Sequence, residues 1–144
     1  MHEEKAREES AEIVTRSPEE TIQLGKELGE LLRPGEVVAL IGDLGAGKTT
    51  LAKGIAGRFP IYHADLYRLQ DAMEVENLGW EEFIFGEGIS LLEWAEKIPG
   101  ILPEERIEIR IFWVGPGERR FLISGKGAQA KIILVLQRKW KKEE

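Results

Sequence analysis

The sequence predicts an α/β domain built on a mixed, mostly parallel sheet that is flanked by helices. Short apolar runs, typical of buried strands, alternate with segments whose apolar residues recur at helical spacing. The later segments follow one another with short turns, so we expect antiparallel strands at the C-terminal part of the sheet. A length of 144 residues, 42% of them hydrophobic, fits one domain.

We expect residues 1–12 to form a polar leader, and Ser17 to cap a helix with Pro18 at its first position and acids behind it. This helix ends before Pro34, and the domain is expected to span 13–137, followed by a charged tail at 138–144. The other predicted helices are 48–56 and 71–78, and the predicted strands are 37–41, 61–65, 89–94, 107–114, 121–124 and 132–136.

Composition excludes several classes of site. The sequence has no cysteine, which excludes disulfides, thiolate zinc sites and cysteine nucleophiles, and its two histidines disfavour a histidine-rich metal site. No apolar segment is long enough for a signal peptide or a membrane span, so we expect a cytoplasmic protein without membrane partners. The net charge of −6 disfavours broad nucleic-acid binding, although four basic residues surround Trp140.

A phosphate-binding loop lies between the strand at 37–41 and the helix at 48–56. It matches G-x-x-x-x-G-K-[ST] at every required position, in the required strand–loop–helix context, with Gly42, Asp43, Leu44, Gly45, Ala46, Gly47, Lys48 and Thr49. Glycines let backbone N–H groups point at phosphate oxygens, and the start of the helix adds the positive end of the helix dipole. We expect Lys48 to reach the β- and γ-phosphates and the Thr49 hydroxyl to bind Mg²⁺, with Thr50 completing the nucleotide-binding segment. The fold is therefore predicted to be that of a P-loop NTPase.

Two acids follow at the ends of predicted strands, Asp65 and Glu93. Ligands of open α/β sheets bind outside the carboxyl ends of the strands, so either acid could hold Mg²⁺ while the other orients the attacking water. Each could instead cap a following helix. His63 lies two residues before Asp65, on the same side of the strand, where a packed or supporting histidine is commoner than a ligand.

These motifs, together with the segments His63-Ala-Asp-Leu-Tyr-Arg-Leu69 and Leu92-Glu-Trp94, closely resemble the TsaE (YjeE) family. The resemblance implies a small bacterial ATPase of tRNA threonylcarbamoyladenosine biosynthesis, with ATP and Mg²⁺ at its site. It also implies a complex with the proteins TsaB and TsaD, whose turnover it supports, and only indirect contact with tRNA. The family pattern makes Lys48, Asp65 and Glu93 the catalytic residues, the last two beside the metal and the water, and adds Trp94 and Arg119 as nucleotide contacts.

One departure from the family concerns the segment before the strand at 61–65. The family carries a Ser-Pro-Thr segment there, thought to switch near the γ-phosphate, whereas here Ala56 leads within a few residues into Ile61. A connection this short is physically ordinary between a helix and a strand. Its loss would impair hydrolysis before it impaired nucleotide binding.

Three functions remain open from the sequence. The first is an ATPase within a tRNA-modifying complex. The second is a small-molecule kinase, which would need an arginine-rich lid, and Arg119 and Arg120 in a late turn are the nearest candidates. The third is a non-catalytic scaffold that a bound nucleotide gates.

Overall fold

The fold is organised around a six-stranded mixed sheet. A computed structural model of the chain describes residues 8–42, 47–57, 59–65, 88–93, 100 and 102–141. Within them the strands are β1 (Glu8–Thr15), β2 (Val37–Gly42), β3 (Ile61–Asp65), β4 (Ile89–Glu93), β5 (Ile107–Gly115) and β6 (Glu118–Lys126). The helices are α1 (Pro18–Leu31), α2 (Lys48–Ile55) and α3 (Ala128–Lys139).

The strand order is β1-β6-β5-β2-β4-β3. Strands β5, β2, β4 and β3 are parallel to one another, whereas β6 is antiparallel to both β5 and β1. This arrangement confirms the predicted fold class, a mixed α/β sheet with antiparallel strands at its C-terminal side. Because the four parallel strands point the same way, β2, β3 and β4 finish at one edge of the sheet, at Gly42, Asp65 and Glu93.

The main hydrophobic core covers one face of the sheet. Alternate residues of the strands point to this face, and leucines and isoleucines from all three described helices pack onto them. The central strand β2 is buried along its whole apolar run, Val37 to Ile41, as expected for a strand covered on both faces. The rigid centre of the sheet therefore holds the end of β2, where the predicted phosphate loop begins.

Helix α1 begins where its local signals predict. The Ser17 side chain accepts a hydrogen bond from the Glu20 backbone N–H, and Pro18 occupies the first position of the helix. The helix ends at Leu31, before Pro34, which confirms the predicted end.

Helices α1 and α2 pack backbone against backbone through glycines. A Cβ atom on Gly25 would lie 2.4 Å from the Leu51 carbonyl oxygen, and one on Gly54 would lie 2.2 Å from the Ile22 carbonyl oxygen. Real Cβ atoms do not approach backbone atoms this closely, so only glycine fits at these positions. The contact fixes the position of α2, the helix that carries Lys48 and Thr49.

The predicted strand at 132–136 is wrong, because these residues lie in helix α3. The run Ile-Ile-Leu-Val-Leu has strand-like composition, but the buried residues Ala130, Ile133 and Leu136 recur every three positions. They place one face of the helix on the core, and that tertiary packing overrides the β propensity of the run.

The boundaries of the domain also differ from the prediction at both ends. Residues 8–12 of the expected polar leader belong to β1, which pairs with β6 from Glu8 to Thr15. At the other end α3 continues to Lys139, and the half-buried Trp140 packs against the core and donates its indole N–H to Glu27. Alternation of polar and apolar residues in an edge strand explains why β1 resembles a polar segment.

Two further expectations concern other parts of the chain. The predicted helix at 71–78 lies outside the described residues. None of the described helices has both the length and the apolar character that a bilayer span requires.

The glycine contact between α1 and α2 yields a stability prediction. We expect Gly54→Ala to lower the free energy of unfolding by about 1–3 kcal/mol through overpacking. This loss opposes the gain of roughly 1 kcal/mol that alanine normally brings to a helix. Urea denaturation checks it, with Gly57→Ala as the matched control, because a Cβ on Gly57 meets nothing within 4 Å. Equal midpoints for the two variants would contradict the close packing.

Candidate functional site

The two described ends of the predicted phosphate loop lie at the carboxyl edge of the sheet. Gly42 closes β2, and a Cβ there would lie 2.8 Å from the Ile111 carbonyl oxygen of the neighbouring strand. Gly47 precedes α2 with a φ of 110°, a left-handed conformation that favours glycine. Thr49 is exposed and Thr50 half-buried in the first turn of α2. The residues between, Asp43, Leu44, Gly45 and Ala46, lie outside the described residues.

Lys48 is the buried charge of this site. Its side chain is only 4% exposed, although it stands at the first position of a helix, where the dipole disfavours a cation. The ammonium donates to the Gly42 carbonyl oxygen at 3.1 Å and lies 3.7 Å from Glu93 Oε1. A carbonyl and a carboxylate therefore offset part of the cost of removing this charge from water.

Glu93 connects Lys48 to His63. Its second oxygen, Oε2, accepts a hydrogen bond from His63 Nε2, because an ionised carboxylate can only accept. The side chain of Glu93 is 16% exposed and that of His63 39% exposed. The structure thus orders Lys48, Glu93 and His63 in a chain of contacts that runs from the centre of the sheet to solvent, with the histidine in the supporting position.

Asp65 is Glu93's partner in the parallel pairing of β3 with β4, so its backbone lies at the same edge of the sheet. Nothing is described of its side chain, and Trp94 lies outside the described residues. Among the side chains that the structure describes, no group of three or more His, Cys, Asp or Glu could hold a metal by itself.

Arg119 lies on the other side of Gly47, away from the acids. A Cβ on Gly47 would meet Arg119 Nε at 3.4 Å, so the arginine side chain lies against this end of the loop. One guanidinium nitrogen donates to the carbonyl oxygens of Gly115 at 3.1 Å and Glu118 at 2.8 Å. These two bonds hold the side chain of Arg119, a residue of β6, against the turn between β5 and β6.

The turn between β5 and β6 also lies beside the start of α1. A Cβ on Gly117, whose φ is 76°, would lie 3.4 Å from the Arg16 carbonyl oxygen and 3.8 Å from Pro18 Cδ. The tip of the β5–β6 hairpin thus rests against the start of α1. The hairpin therefore lies between the start of α1 and Gly47.

The predicted site residues that the structure describes lie at one edge of the sheet: Gly42, Gly47, Lys48, Thr49, Thr50, Glu93, Arg119 and the backbone of Asp65. Trp113, the cross-strand partner of Arg119, is a neighbour that the motifs do not predict. The two residues are unequally spaced from the turn, because the register shifts between Trp113 and Gly115, so local sequence does not reveal their pairing.

The burial of the Lys48–Glu93 pair yields a second stability prediction. In protein without nucleotide, Glu93→Gln should lower the free energy of unfolding by about 1–3 kcal/mol, because a buried ammonium loses its charged partner. Glu12→Gln is the matched control, since Glu12 and Arg120 are 3.5 Å apart but 58% and 45% exposed. Such surface pairs contribute at most about 1 kcal/mol. Urea denaturation compares the variants, and an equal loss in both would contradict a special role for the buried pair.

A protein-family model described as "Threonylcarbamoyl adenosine biosynthesis protein TsaE" matches residues 15–60 and 56–121 of the chain. Among similar proteins, the tRNA threonylcarbamoyladenosine biosynthesis protein TsaE of Bacillus subtilis is 37% identical, over 83% of this chain and 88% of the relative. The protein of the same name from Treponema pallidum is 32% identical, over 77% of this chain and 98% of the relative.

The chain is shorter than these relatives over the aligned region. The alignment with the B. subtilis protein runs over 141 positions but includes 83% of 144 residues, about 120, so about twenty positions have no counterpart in this chain. The two matches to the family model end and restart within 56–60, the connection between α2 and β3. The shorter connection is therefore a difference from these relatives.

The fold agrees with a solved structure of similar sequence. The crystal structure of B. subtilis YdiB superposes with a TM-score of 0.78 at 33% identity, over 92% of this chain and 97% of that one. The family model, the relatives and the fold point the same way, and the chain belongs to the TsaE family.

Proposed function

We propose that this protein binds ATP with Mg²⁺ and hydrolyses it as a component of the machinery that forms threonylcarbamoyladenosine in tRNA. The observation that carries the proposal is the buried Lys48, held at the start of α2 beside the carboxyl edge of the sheet. A lysine in this position lies against the helix dipole, and a bound phosphate would convert that unfavourable arrangement into a favourable one.

The described residues fit a triphosphate. The N-terminus of α2 supplies backbone N–H groups that have no partner within the helix, and Gly47, with its positive φ, carries no side chain in front of them. Lys48 is already directed to the carboxyl edge of the sheet, where it contacts Gly42 and Glu93. Binding would require Lys48 to exchange part of its contact with Glu93 for phosphate oxygens, an exchange between anionic partners.

The donor set also fits Mg²⁺. This ion is usually held by one or two protein oxygens together with water and substrate phosphates, so a full protein cage is not needed. The exposed Thr49 hydroxyl and one of the acids, Asp65 or Glu93, would hold it. When bound, the ion supplies positive charge that neutralises the phosphates. Because Glu93 already contacts Lys48 and His63, we assign it to the water and Asp65 to the metal.

The relatives supply the biological setting. Their names place them in tRNA threonylcarbamoyladenosine biosynthesis, and the same process is proposed for this chain. We propose TsaB and TsaD as its partners, with tRNA reached through that complex, and the cytoplasm as its location. Slow hydrolysis by the isolated protein and faster hydrolysis in the complex would fit a nucleotide-driven change of state.

A second candidate, a nucleotide-gated scaffold without useful turnover, is favoured by the short connection between α2 and β3. Residues 56–60 stand where the relatives have a longer segment, and they join the end of α2 to the start of β3, at the edge of the sheet opposite Lys48. The resemblance to the TsaE family implies that the longer segment reaches the γ-phosphate, so its loss would remove groups that organise hydrolysis while leaving the cradle itself.

The test of the proposed function is the Lys48→Ala variant. We expect it to abolish hydrolysis and to weaken nucleotide binding strongly, because the ammonium contributes charge to a desolvated site. Calorimetry with Mg-ADP and Mg-ATP measures binding, and release of free phosphate measures hydrolysis, with and without TsaB and TsaD. Lys53→Ala, at an exposed lysine in the last turn of the same helix, is the control and should behave as wild type.

The outcomes separate the candidates. Normal hydrolysis by Lys48→Ala would contradict the assignment of the cradle. Nucleotide binding without phosphate release in the full complex would select the scaffold. Appearance of a phosphorylated small molecule in place of free phosphate would select a kinase.

The contact between His63 and Glu93 gives a prediction for a positioning residue. His63→Ala should lower kcat about tenfold and leave KM for ATP nearly unchanged, because Glu93 loses the group that orients it. His63→Gln, which keeps an N–H donor, should recover part of the activity. Steady-state phosphate release is the measurement, and a rise in KM with constant kcat would show that the histidine serves binding instead.

A further inference from the structure

Trp113 is the most exposed large hydrophobic side chain among the described residues. It is 61% exposed, on a strand whose residues Ile107, Ile109 and Ile111 are buried. An indole left in water has a large apolar surface that a planar ligand could cover. None of the functions predicted from the sequence assigns a role to Trp113.

The register of the sheet places Trp113 next to the phosphate loop. Gly42, the last residue of β2, pairs with Ile111, so β5 continues beyond the level of the loop. Trp113 lies two residues further along β5, about 7 Å beyond that level and about 5 Å to the side, by standard strand geometry. Its cross-strand partner is Arg119, so both side chains stand on the same face, and Arg119 lies against Gly47.

The contacts of Lys48 indicate which end of a bound nucleotide, the phosphates or the base, would lie near Trp113. Glu93 and His63, on β4 and β3, lie on one side of Lys48, and Asp65 ends β3 on that side too. A metal and the terminal phosphate belong beside these acids. The sugar and base must then extend to the opposite side of the loop, where β5 and its hairpin lie.

We propose that the indole of Trp113 is the platform on which the base of the bound nucleotide stacks, with the Arg119 side chain beside it. This inference rests on the proposed function, since it needs the phosphates in the cradle. The hairpin is held by Arg119 and by the start of α1, so the platform is in place before the ligand arrives. Such preorganisation reduces the entropic cost of binding.

Stacking on an aromatic ring tolerates different bases, because every base has a π-face. The larger face of a purine covers more of the indole than a pyrimidine does. The site should therefore prefer purine nucleotides to pyrimidine nucleotides, while discriminating weakly between adenine and guanine through Trp113 alone.

Calorimetry with Mg-ADP, Mg-CDP and inorganic tripolyphosphate tests the proposal. Trp113→Ala should weaken binding of Mg-ADP by roughly 5- to 100-fold, the range expected for loss of one stacked base. Binding of tripolyphosphate, which has no base, should stay within about twofold of wild type, and the preference for ADP over CDP should shrink. Trp113→Phe should retain most of the affinity.

Phe112→Ala is the matched control. Phe112 is the adjacent aromatic residue and is 39% exposed, but it lies on the opposite face of the strand. There the Arg120 guanidinium carbon is 4.6 Å from the centre of its ring. The Phe112→Ala variant should bind all three probes as wild type does, and thermal unfolding checks that each variant is folded.

Three results would overturn the inference. Unchanged Mg-ADP affinity in Trp113→Ala would make the indole a contact for a protein partner or a bare surface. An equal loss for tripolyphosphate would mean that Trp113 supports the loop and not the base. If wild-type protein bound neither Mg-ADP nor tripolyphosphate, the proposed function itself would fail together with the platform.

Discussion

The arrangement of the site depends on the burial of one positive charge. Removing the Lys48 ammonium from water costs several kcal/mol, so the fold must surround it with acceptors. Two elements provide them: the end of β2 offers the Gly42 carbonyl and the end of β4 offers Glu93. These groups meet only because β2 and β4 are parallel and adjacent, with Leu40 opposite Glu93. Burial of the Lys48 charge therefore requires that β2 and β4 be neighbours in the sheet.

Features governed by short-range chemistry could be predicted from the sequence. The cap at Ser17, the strand before Gly42 and the helix after Gly47 each follow from a few neighbouring residues. Features decided by burial could not be predicted in the same way. The apolar run within α3 has β propensity and becomes helical because Ile133 and Leu136 pack on the core, and the polar edge strand β1 forms because β6 offers it a partner.

Contacts within the site follow the same division. The phosphate loop and the acids at the strand ends are visible in the sequence because each belongs to one local segment. The contact of His63 with Glu93 joins residues thirty positions apart. The contact of Arg119 with Gly47 joins residues that are still more distant in the sequence. Both require the strand order, which no local pattern encodes. The resemblance to the TsaE family supplied Arg119, but its role beside Trp113 depends on the register of one hairpin.

Three close contacts form a closed circuit around the site. Gly47 touches Arg119, the hairpin tip at Gly117 touches the start of α1, and α1 touches α2 through Gly25 and Gly54, which returns to Gly47. The contact between α1 and α2 is the tightest of the three, since a Cβ on Gly47 or Gly117 would meet its neighbour at an ordinary contact distance. If the proposed binding of phosphate displaces α2, α1 must move with it, because the two backbones leave no room for a side-chain carbon at Gly25 and Gly54.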